Sequence, residues 1–229
     1  FTAPADVTIY TDADCNYDVD VAFTGDVTDE DDNCSTDIEA TYVDAAPVAI
    51  VGCEGGYTIA RTWSLVDNCG NAAADQVQTI TIHDNIAPTF TAPADVTIYT
   101  DADCNYDISI ANVGDVTDED DNCSTGIEAT YVDAAPVAIV GCEGGYTIAR
   151  TWSLVDNCGN AAADQVQTIT IRDNTAPTFT APADVTIYTD ADCNYDISVA
   201  NVGDVTDEAD NCSTGIEATY VDAAPVAIV

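Results

Sequence analysis

The sequence predicts an all-β protein made of tandem immunoglobulin-like antiparallel β-sandwiches in an extended rod. Three observations predict this fold: an 89-residue repeat, short segments that alternate apolar and polar residues, and clusters of Gly, Pro, Asn and Asp between them. No segment has an apolar period of 3.6 residues over the length of a helix. The predicted domains are repeat 1 (1–86), repeat 2 (87–175) and a partial repeat 3 (176–229).

The repeats are nearly identical. Residues 90–178 differ from residues 1–89 at eight positions, and residues 179–229 differ from 90–140 at two. Modules so alike are expected to share one fold and one surface. The partial repeat is expected either to continue in a longer array or to be completed by strands of another chain.

The strands are most easily assigned in repeat 2, and repeat 1 follows the same pattern. Trp152 and its counterpart Trp63 are expected in the core, because large aromatic side chains dominate burial in small sandwiches. Arg61 and Arg150 precede them by two positions and are expected at a strand end or beside a carboxylate, since an unpaired buried guanidinium is costly. The predicted strands are Val96–Thr100, Ile108–Ala111, Ile127–Val132, Val137–Val140, Tyr146–Val155 and Val166–Ile171.

The charge is extreme: 42 acidic residues against three basic ones give a formal net charge of -39. Nucleic acids and anionic membranes need a basic surface, so the sequence predicts neither as a partner. No apolar run is long enough to span a membrane. An acidic surface can serve solubility or salt tolerance alone, but repulsion of this size also favours bound cations. The sequence also has no methionine and no signal-like apolar leader, so we expect a processed or internal piece of an extracellular protein, secreted or attached to the cell surface.

Each complete repeat carries four cysteines, which favours disulfides and an oxidising compartment. Four cysteines allow three connectivities. In an immunoglobulin-like sandwich the cysteine-bearing loops lie two at each pole, which predicts Cys15–Cys53, Cys34–Cys69, Cys104–Cys142 and Cys123–Cys158. Sequential pairing, such as Cys15–Cys34, is the alternative.

Carboxylates and amides gather in three clusters per repeat, which in repeat 2 begin at Asp101, Asp115 and Asp156. The segment from Asp84 to Phe90, repeated from Asp173 to Phe179, joins one repeat to the next. Clusters of both neighbours are expected to converge at this joint, and their oxygens suit Ca²⁺ better than Mg²⁺. The alternative is an Asx turn before Pro88. The predicted ligands are Asp12, Asp14, Glu54, Asp84, Asn85, Asp115, Asp118, Asp121, Asn122, Asp156 and Asn157, and at the second joint Asp101, Asp103, Glu143, Asp173, Asn174, Asp204, Asp207, Asp210 and Asn211.

A family resemblance covers the whole repeat. The run from Tyr146 to Asn160, which ends in Asp-Asn-Cys-Gly-Asn, together with Asp173-Asn-Thr-Ala-Pro177, resembles the hyalin-repeat modules of large secreted and cell-surface proteins, including bacterial ones. The resemblance implies an immunoglobulin-like sandwich used in tandem for adhesion or scaffolding. A calcium-bridged joint would be similar to that of cadherin repeats in architecture only.

These observations predict a structural protein: a secreted stalk or extracellular filament, stiffened by Ca²⁺ at its joints, that self-associates or forms a covalent tandem array. A cell-surface adhesin or glycan-binding module is the alternative. The sequons at Asn33, Asn122 and Asn211 allow N-glycosylation. We do not expect an enzyme, because His83 is the sole histidine and is replaced by Arg172 in the next repeat.

Overall fold

A computed structural model describes residues 1–226. Repeat 1 contains strands β1 to β5 and one short helix, namely β1 (Val7–Tyr10), α1 (Val21–Thr24), β2 (Thr41–Asp44), β3 (Val48–Ala49), β4 (Tyr57–Ser64) and β5 (Gln76–His83). Repeat 2 contains the same elements, β6 (Val96–Tyr99), α2 (Ile110–Val113), β7 (Thr130–Asp133), β8 (Val137–Ala138), β9 (Tyr146–Ser153) and β10 (Gln165–Arg172). The described part of repeat 3 contains helix α3 (Val199–Val202).

Each complete repeat forms one five-stranded sheet. The order in repeat 1 is β1-β5-β4-β2, with β3 also paired to β4, and repeat 2 has the equivalent order β6-β10-β9-β7 with β8 on β9. Strand β1 runs parallel to β5 in a register that sets Tyr10 opposite His83. Strands β4 and β5 are antiparallel, with Tyr57 opposite Ile82. The loop after β1, the loop after β5 and the loop before β4 therefore lie at the same end of the sheet.

The prediction of an all-β protein is confirmed, but its details need correction. The edge strands β1 and β6 pair in parallel, so the sheets are mixed rather than antiparallel. The predicted strand Ile108–Ala111 is wrong: a single helical turn begins at Ile110, after Ser109, whose amide is held by the Asp107 carboxylate. The tandem sandwich remains a prediction, because one sheet per complete repeat is formed within residues 1–226.

One face of each sheet is buried. In β4 and β5 every second side chain is buried, and Ile59, Ile80 and Ile82 form a core cluster. Tyr17 and Val19, from the segment between β1 and α1, pack on this cluster. That segment covers the sheet where a second sheet of a sandwich would lie.

The expected core position of both tryptophans is confirmed, because Trp63 and Trp152 are 0% exposed. Arg61 is also fully buried and forms a two-pronged ion pair with Asp44, with Nε–Oδ1 and Nη2–Oδ2 distances of 2.7 and 2.9 Å. Arg61 donates further to Thr24 Oγ1 at 2.7 Å, and its guanidinium lies 4.0 Å from the centre of the Tyr42 ring. Hydrogen bonding to Asp44 raises the pKa of Arg61 above its ordinary value.

Replacing Arg61→Lys should lower the free energy of unfolding by about 2 kcal/mol, because an ammonium group cannot keep both bonds to Asp44 and the bond to Thr24. Urea unfolding followed by far-ultraviolet circular dichroism measures this loss, because the signal reports on the sheets of both repeats. Arg172→Lys is the control, since Arg172 is exposed at the end of β10 and the change should stay within about 0.5 kcal/mol. Equal stability of the two variants would contradict the role of the Arg61 pair.

The described chain divides into two compact units. The first unit contains Phe1–Pro93, Asp115–Val132 and Thr151–Val166, and the second contains Ala94–Gly114, Asp133–Arg150 and the residues from Gln167 on. The first unit holds the core cluster around Ile80 and another around Trp152. The second holds a cluster around Ile169. The domain bounds at 86 and 175 stay predictions.

Candidate metal centre at the junctions of the repeats

The first junction is the part of the first unit where repeat 1 meets repeat 2. Repeat 1 contributes three segments, which lie at one end of its sheet. They are the turn after β1 with Thr11 and Asp12, the β3–β4 loop with Cys53 and Glu54, and Asp84 directly after β5. These segments adjoin because β1 and β5 end together, at Tyr10 and His83, where β4 begins.

Repeat 2 supplies two loops, each held by an aspartate. Asp121 Oδ2 accepts hydrogen bonds from the amides of Cys123 and Ser124 at 3.0 and 2.7 Å. Asp156 Oδ1 accepts from the amides of Cys158 and Asn160 at 2.8 and 2.7 Å. The loops are tied together where the Asn157 amide donates to Ser124 Oγ at 3.1 Å. Such side-chain bonds to the backbone are the reason that Asp is common in turns.

The junction cluster is the group of Asp84, Asp121 and Asp156, and its members come from both repeats. One carboxylate oxygen of each lies within 4.8 Å of the other two. Asp84 is only 1% exposed, Asp156 is 6% exposed and Asp121 is half-buried. The predicted convergence of acidic groups from both neighbours is therefore seen at Asp84, Asp121 and Asp156.

The buried oxygens of the junction cluster are divided between two tasks. Asp84 Oδ1 accepts from Thr11 Oγ1 and the Ile86 amide, each at 3.1 Å. By contrast, the buried atoms Asp84 Oδ2, Asp121 Oδ1 and Asn122 Oδ1 have no hydrogen-bond partner in the described chain. Thus one oxygen of Asp84 and one of Asp121 hold the local backbone, while the second oxygen of each is left without a partner.

This donor set fits a hard cation. Buried polar atoms without partners are costly, and grouped carboxylates repel one another unless a positive charge lies among them. The chain has three basic residues, and Arg61 is occupied by Asp44. Carboxylate and amide oxygens are the ligands that Ca²⁺ takes, in sets of six to eight with water and carbonyl groups. Calcium binding itself stays a prediction.

Asn160 lies at the first junction, and the sequence analysis did not predict it as a ligand or as a support for one. Its Nδ2 donates to the Asp84 backbone oxygen at 3.1 Å and to Asp156 Oδ2 at 2.7 Å. Asn122 works in the same way, since its Nδ2 donates to the Asp12 backbone oxygen at 2.9 Å. The Asp-x-Cys-Gly-Asn spacing could have identified Asn160, because it sets an amide four residues after the aspartate.

The predicted disulfide pairing within a repeat is wrong, and so is the sequential alternative. Two disulfides cross the first junction and one crosses the second: Cys15–Cys123, Cys53–Cys158 and Cys104–Cys212. The physical reason is that the loops after β1 and before β4 meet the loops of the next repeat. Four cysteines are free in the described chain: Cys34, Cys69, Cys142 and Cys193.

Close packing around these disulfides requires Gly55. A Cβ atom at Gly55 would lie 2.7 Å from Sγ of both Cys15 and Cys123, and the residue has a positive φ of 77°. Gly144 has the same place at the second junction, 2.8 Å from the Sγ atoms of Cys104 and Cys212. The His83 ring lies 4.0 Å from Cys53 Sγ, but that sulfur is already bonded to Cys158 and is not free to bind a metal.

Glu54 adds a polar contact across the first junction. Its carboxylate accepts from the Thr125 amide at 2.8 Å, from Thr125 Oγ1 at 3.0 Å and from Asn157 Nδ2 at 3.2 Å. The bond from the Thr125 amide, followed by that from the hydroxyl, lowers the pKa of Glu54. Glu143 repeats the contact with Thr214 at the second junction, and its pKa is lowered for the same reason.

The Glu54 contact should make stability depend on pH. A carboxylate with a lowered pKa stabilises the fold fully above its ordinary value, here 4.5, and the contribution is lost as the pH falls through the lowered value. The urea midpoint of the wild type should therefore exceed that of Glu54→Gln at about pH 6, and the difference should shrink as the pH falls below 4.5.

Glu39→Gln is the matched control, because it removes the same charge from an exposed side chain. It should show no comparable pH-dependent difference from the wild type. A Glu54→Gln curve that runs parallel to the wild-type curve at all pH values would contradict the contribution of this contact.

The second junction repeats the arrangement in the second unit with fewer carboxylates. Asp173 Oδ1 accepts from the Thr175 amide at 2.9 Å, and Asp210 holds the amides of Cys212 and Ser213. Asn211 Nδ2 donates to the Asp101 backbone oxygen at 2.9 Å, and its buried Oδ1 has no partner in the described chain. Asp173 is half-buried, so it is more open to solvent than Asp84.

The remaining predicted ligands are exposed and lie outside the junction cluster. Asp12 and Asp101 use Oδ1 to hold their own turns, and Asp118 and Asp207 hold the amides of Thr91 and Thr180. The exposed set is Asp12, Asp14, Glu54, Asn85, Asp115, Asp118 and Asn157 at the first junction, and Asp101, Asp103, Glu143, Asn174, Asp204 and Asp207 at the second.

Comparison of the sequence with protein-family models and with curated proteins found no match. The hyalin-repeat resemblance therefore rests on the quoted motifs alone. Among residues 1–226, no helix has both the length and the apolar character needed to cross a bilayer.

Proposed function

We propose that the protein is a structural protein of the cell exterior, a tandem-repeat stalk or filament in which Ca²⁺ and disulfides fix each repeat to the next. The junction cluster carries this proposal, because carboxylates of two successive repeats share one site and leave buried oxygens without partners. A cation bound there would connect the repeats directly and offset part of the charge of -39. The three disulfides support an oxidising, extracellular location.

The proposed ligands are side chains already held in place. Asp84, Asp121, Asp156 and Asn122 would each give one oxygen, and their other polar atoms keep the loops in position. Water or carbonyl groups would complete the shell. Calcium suits this set better than magnesium, because Mg²⁺ requires a tighter octahedron and keeps most of its waters.

The test is to measure calcium binding and the spread of conformations together. Isothermal titration should show a Ca²⁺ site, and small-angle scattering should show a narrower distribution of particle dimensions with Ca²⁺ than with EDTA. Magnesium at the same concentration is the control for ion type. Identical scattering with Ca²⁺ and with EDTA would remove calcium from the structural role.

A further inference from the structure

One contact between repeats occurs twice in the chain. The turn that begins at Asp12 bonds through Cys15 to the loop that contains Cys123, and the turn that begins at Asp101 bonds through Cys104 to the loop that contains Cys212. In both contacts an asparagine Nδ2 next to the loop cysteine donates to the backbone oxygen of the turn aspartate at 2.9 Å. The turn and the loop are thus two complementary halves of one recurring contact.

Repeat 1 has the loop half without a turn bonded to it. Cys34 stands where Cys123 and Cys212 stand in the later repeats, and it is a free, exposed thiol. Its loop is held by similar internal bonds: the Cys34 amide donates to Asp32 at 3.4 Å and the Asn68 amide to Ser35 Oγ at 3.3 Å.

Repeat 3 has the turn half without a loop bonded to it. Cys193 is free and exposed, and its φ of 63° nearly equals the 60° of Cys15 and of Cys104. The turn is closed by the Asp190 amide, which donates to the Asn194 oxygen at 2.8 Å, as the Asp12 amide does to Asn16. The free turn therefore has the conformation that the bonded turns have.

We propose that Cys193 of one chain forms a disulfide with Cys34 of a second copy, in the register of Cys15–Cys123, so that copies join head to tail. This inference rests on the proposed structural role and names its partner. The Asn33 side chain of the second copy would donate to the Asp190 backbone oxygen, as Asn122 does to Asp12. After two copies join, one retains a free turn with Cys193 and the other a free loop with Cys34. Further copies can therefore add at both ends, as in other heterologous head-to-tail assemblies.

The bond forms by thiol–disulfide exchange with a small disulfide such as glutathione disulfide. The Cys34 thiolate attacks this disulfide and releases one glutathione thiolate. The Cys193 thiolate then attacks the Cys34 sulfur and releases the second. Two protein thiols are oxidised, one glutathione disulfide is reduced to two thiols, and the two protons pass to the glutathione thiolates. Repulsion between acidic copies should slow the step at low salt.

The test uses the full chain, oxidised in a glutathione buffer with Ca²⁺ and physiological salt and then run on a non-reducing denaturing gel. A ladder of multimers that collapses on reduction is expected. Cys34→Ser and Cys193→Ser should each remove the ladder. Cys69→Ser and Cys142→Ser are matched controls and should leave the ladder intact. The proposed contact places repeat 3 of one copy, with Cys193, beside the loops of repeat 1 of the next copy, with Cys34 and Cys69. Cys142 belongs to repeat 2, so the same contact cannot bring it to Cys69.

Peptide mass spectrometry identifies the bond without ambiguity. Asp37 marks the Cys34 peptide, since repeats 2 and 3 have glycine there. Ser198 and Val199 together mark the Cys193 peptide, since repeat 1 has Asp20 and repeat 2 has Ile110 at these positions. A Cys34–Cys69 bond, a ladder that survives Cys34→Ser, or a protein that stays monomeric would each overturn the inference. If the monomer still binds calcium by titration, the proposed junction function stands and only the assembly of copies fails.

Discussion

Calcium should raise the thermal midpoint of the first unit in the wild type and should raise that of Asp84→Asn no more than about half as far. The substitution keeps a side chain that can accept from Thr11 and the Ile86 amide, but it removes the buried carboxylate charge. Mutation of residues that only hold the ligands of a metal lowers its affinity about 10- to 100-fold. Loss of a direct ligand should therefore lower the affinity for calcium at least as much. At a calcium concentration 100 times the wild-type Kd, the wild type gains about 2.7 kcal/mol.

The readout can be confined to the first unit, because Trp63 and Trp152 both lie there and are the chain's two tryptophans. Asp173→Asn is the matched control, since it changes the second junction and should leave the calcium response of tryptophan fluorescence intact. In EDTA, Asp84→Asn should be at least as stable as the wild type, because it relieves repulsion with Asp121 and Asp156. A wild-type midpoint that is the same with calcium and with EDTA would exclude the site.

Removing the Cys15–Cys123 disulfide with paired serine substitutions should lower the free energy of unfolding by about 4 to 5 kcal/mol. The bond joins residues 108 apart, and closing a loop of about 100 residues stabilises a fold by about 4.7 kcal/mol in the chain-entropy model. The loss should appear in urea unfolding of the oxidised protein. The serine pair at Cys53 and Cys158 should behave in the same way, since that loop is nearly as long.

The control for the disulfide prediction is the pair Cys34→Ser and Cys69→Ser. Both thiols are free and exposed, so each change in the monomer should stay within about 0.5 kcal/mol. The reverse result, a large loss at Cys34 and Cys69 with none at Cys15 and Cys123, would favour pairing within a repeat.

Alternation along the chain was sufficient to predict the long strands. Strands β4, β5, β9 and β10 each have one buried face, as a period of two residues requires, and Trp63 and Trp152 lie on that face in β4 and β9. The short segment Ile108–Ala111 misled, because four residues are too few to separate a strand from a helical turn and the Asp107 bond to Ser109 decides the outcome locally.

Contacts between repeats could be predicted only in part. Asp84, Asp121 and Asp156 were expected to meet because each lies in a loop or at a strand end on the side facing a neighbouring repeat. Alternate acidic positions such as Asp12 and Asp14 do not distinguish a ligand from a turn residue, since an Asp-x-Asp spacing also closes an ordinary turn, as Asp12 does with Asn16. The disulfide partners could not be found from the sequence, because each candidate partner has an equivalent in the next repeat, as Cys123 is the equivalent of Cys34, and the sequence does not distinguish between the two.

The overlapping disulfides have a mechanical consequence. A chain pulled from residues 1 and 226 would transmit the load along residues 1–15, across to Cys123, back to Cys104 and across to Cys212. Strands β4, β5, β9 and β10 lie outside this covalent route, so tension cannot unravel them while the sulfur bonds last. A reducing agent would open this route and expose the sheets of both repeats to the load.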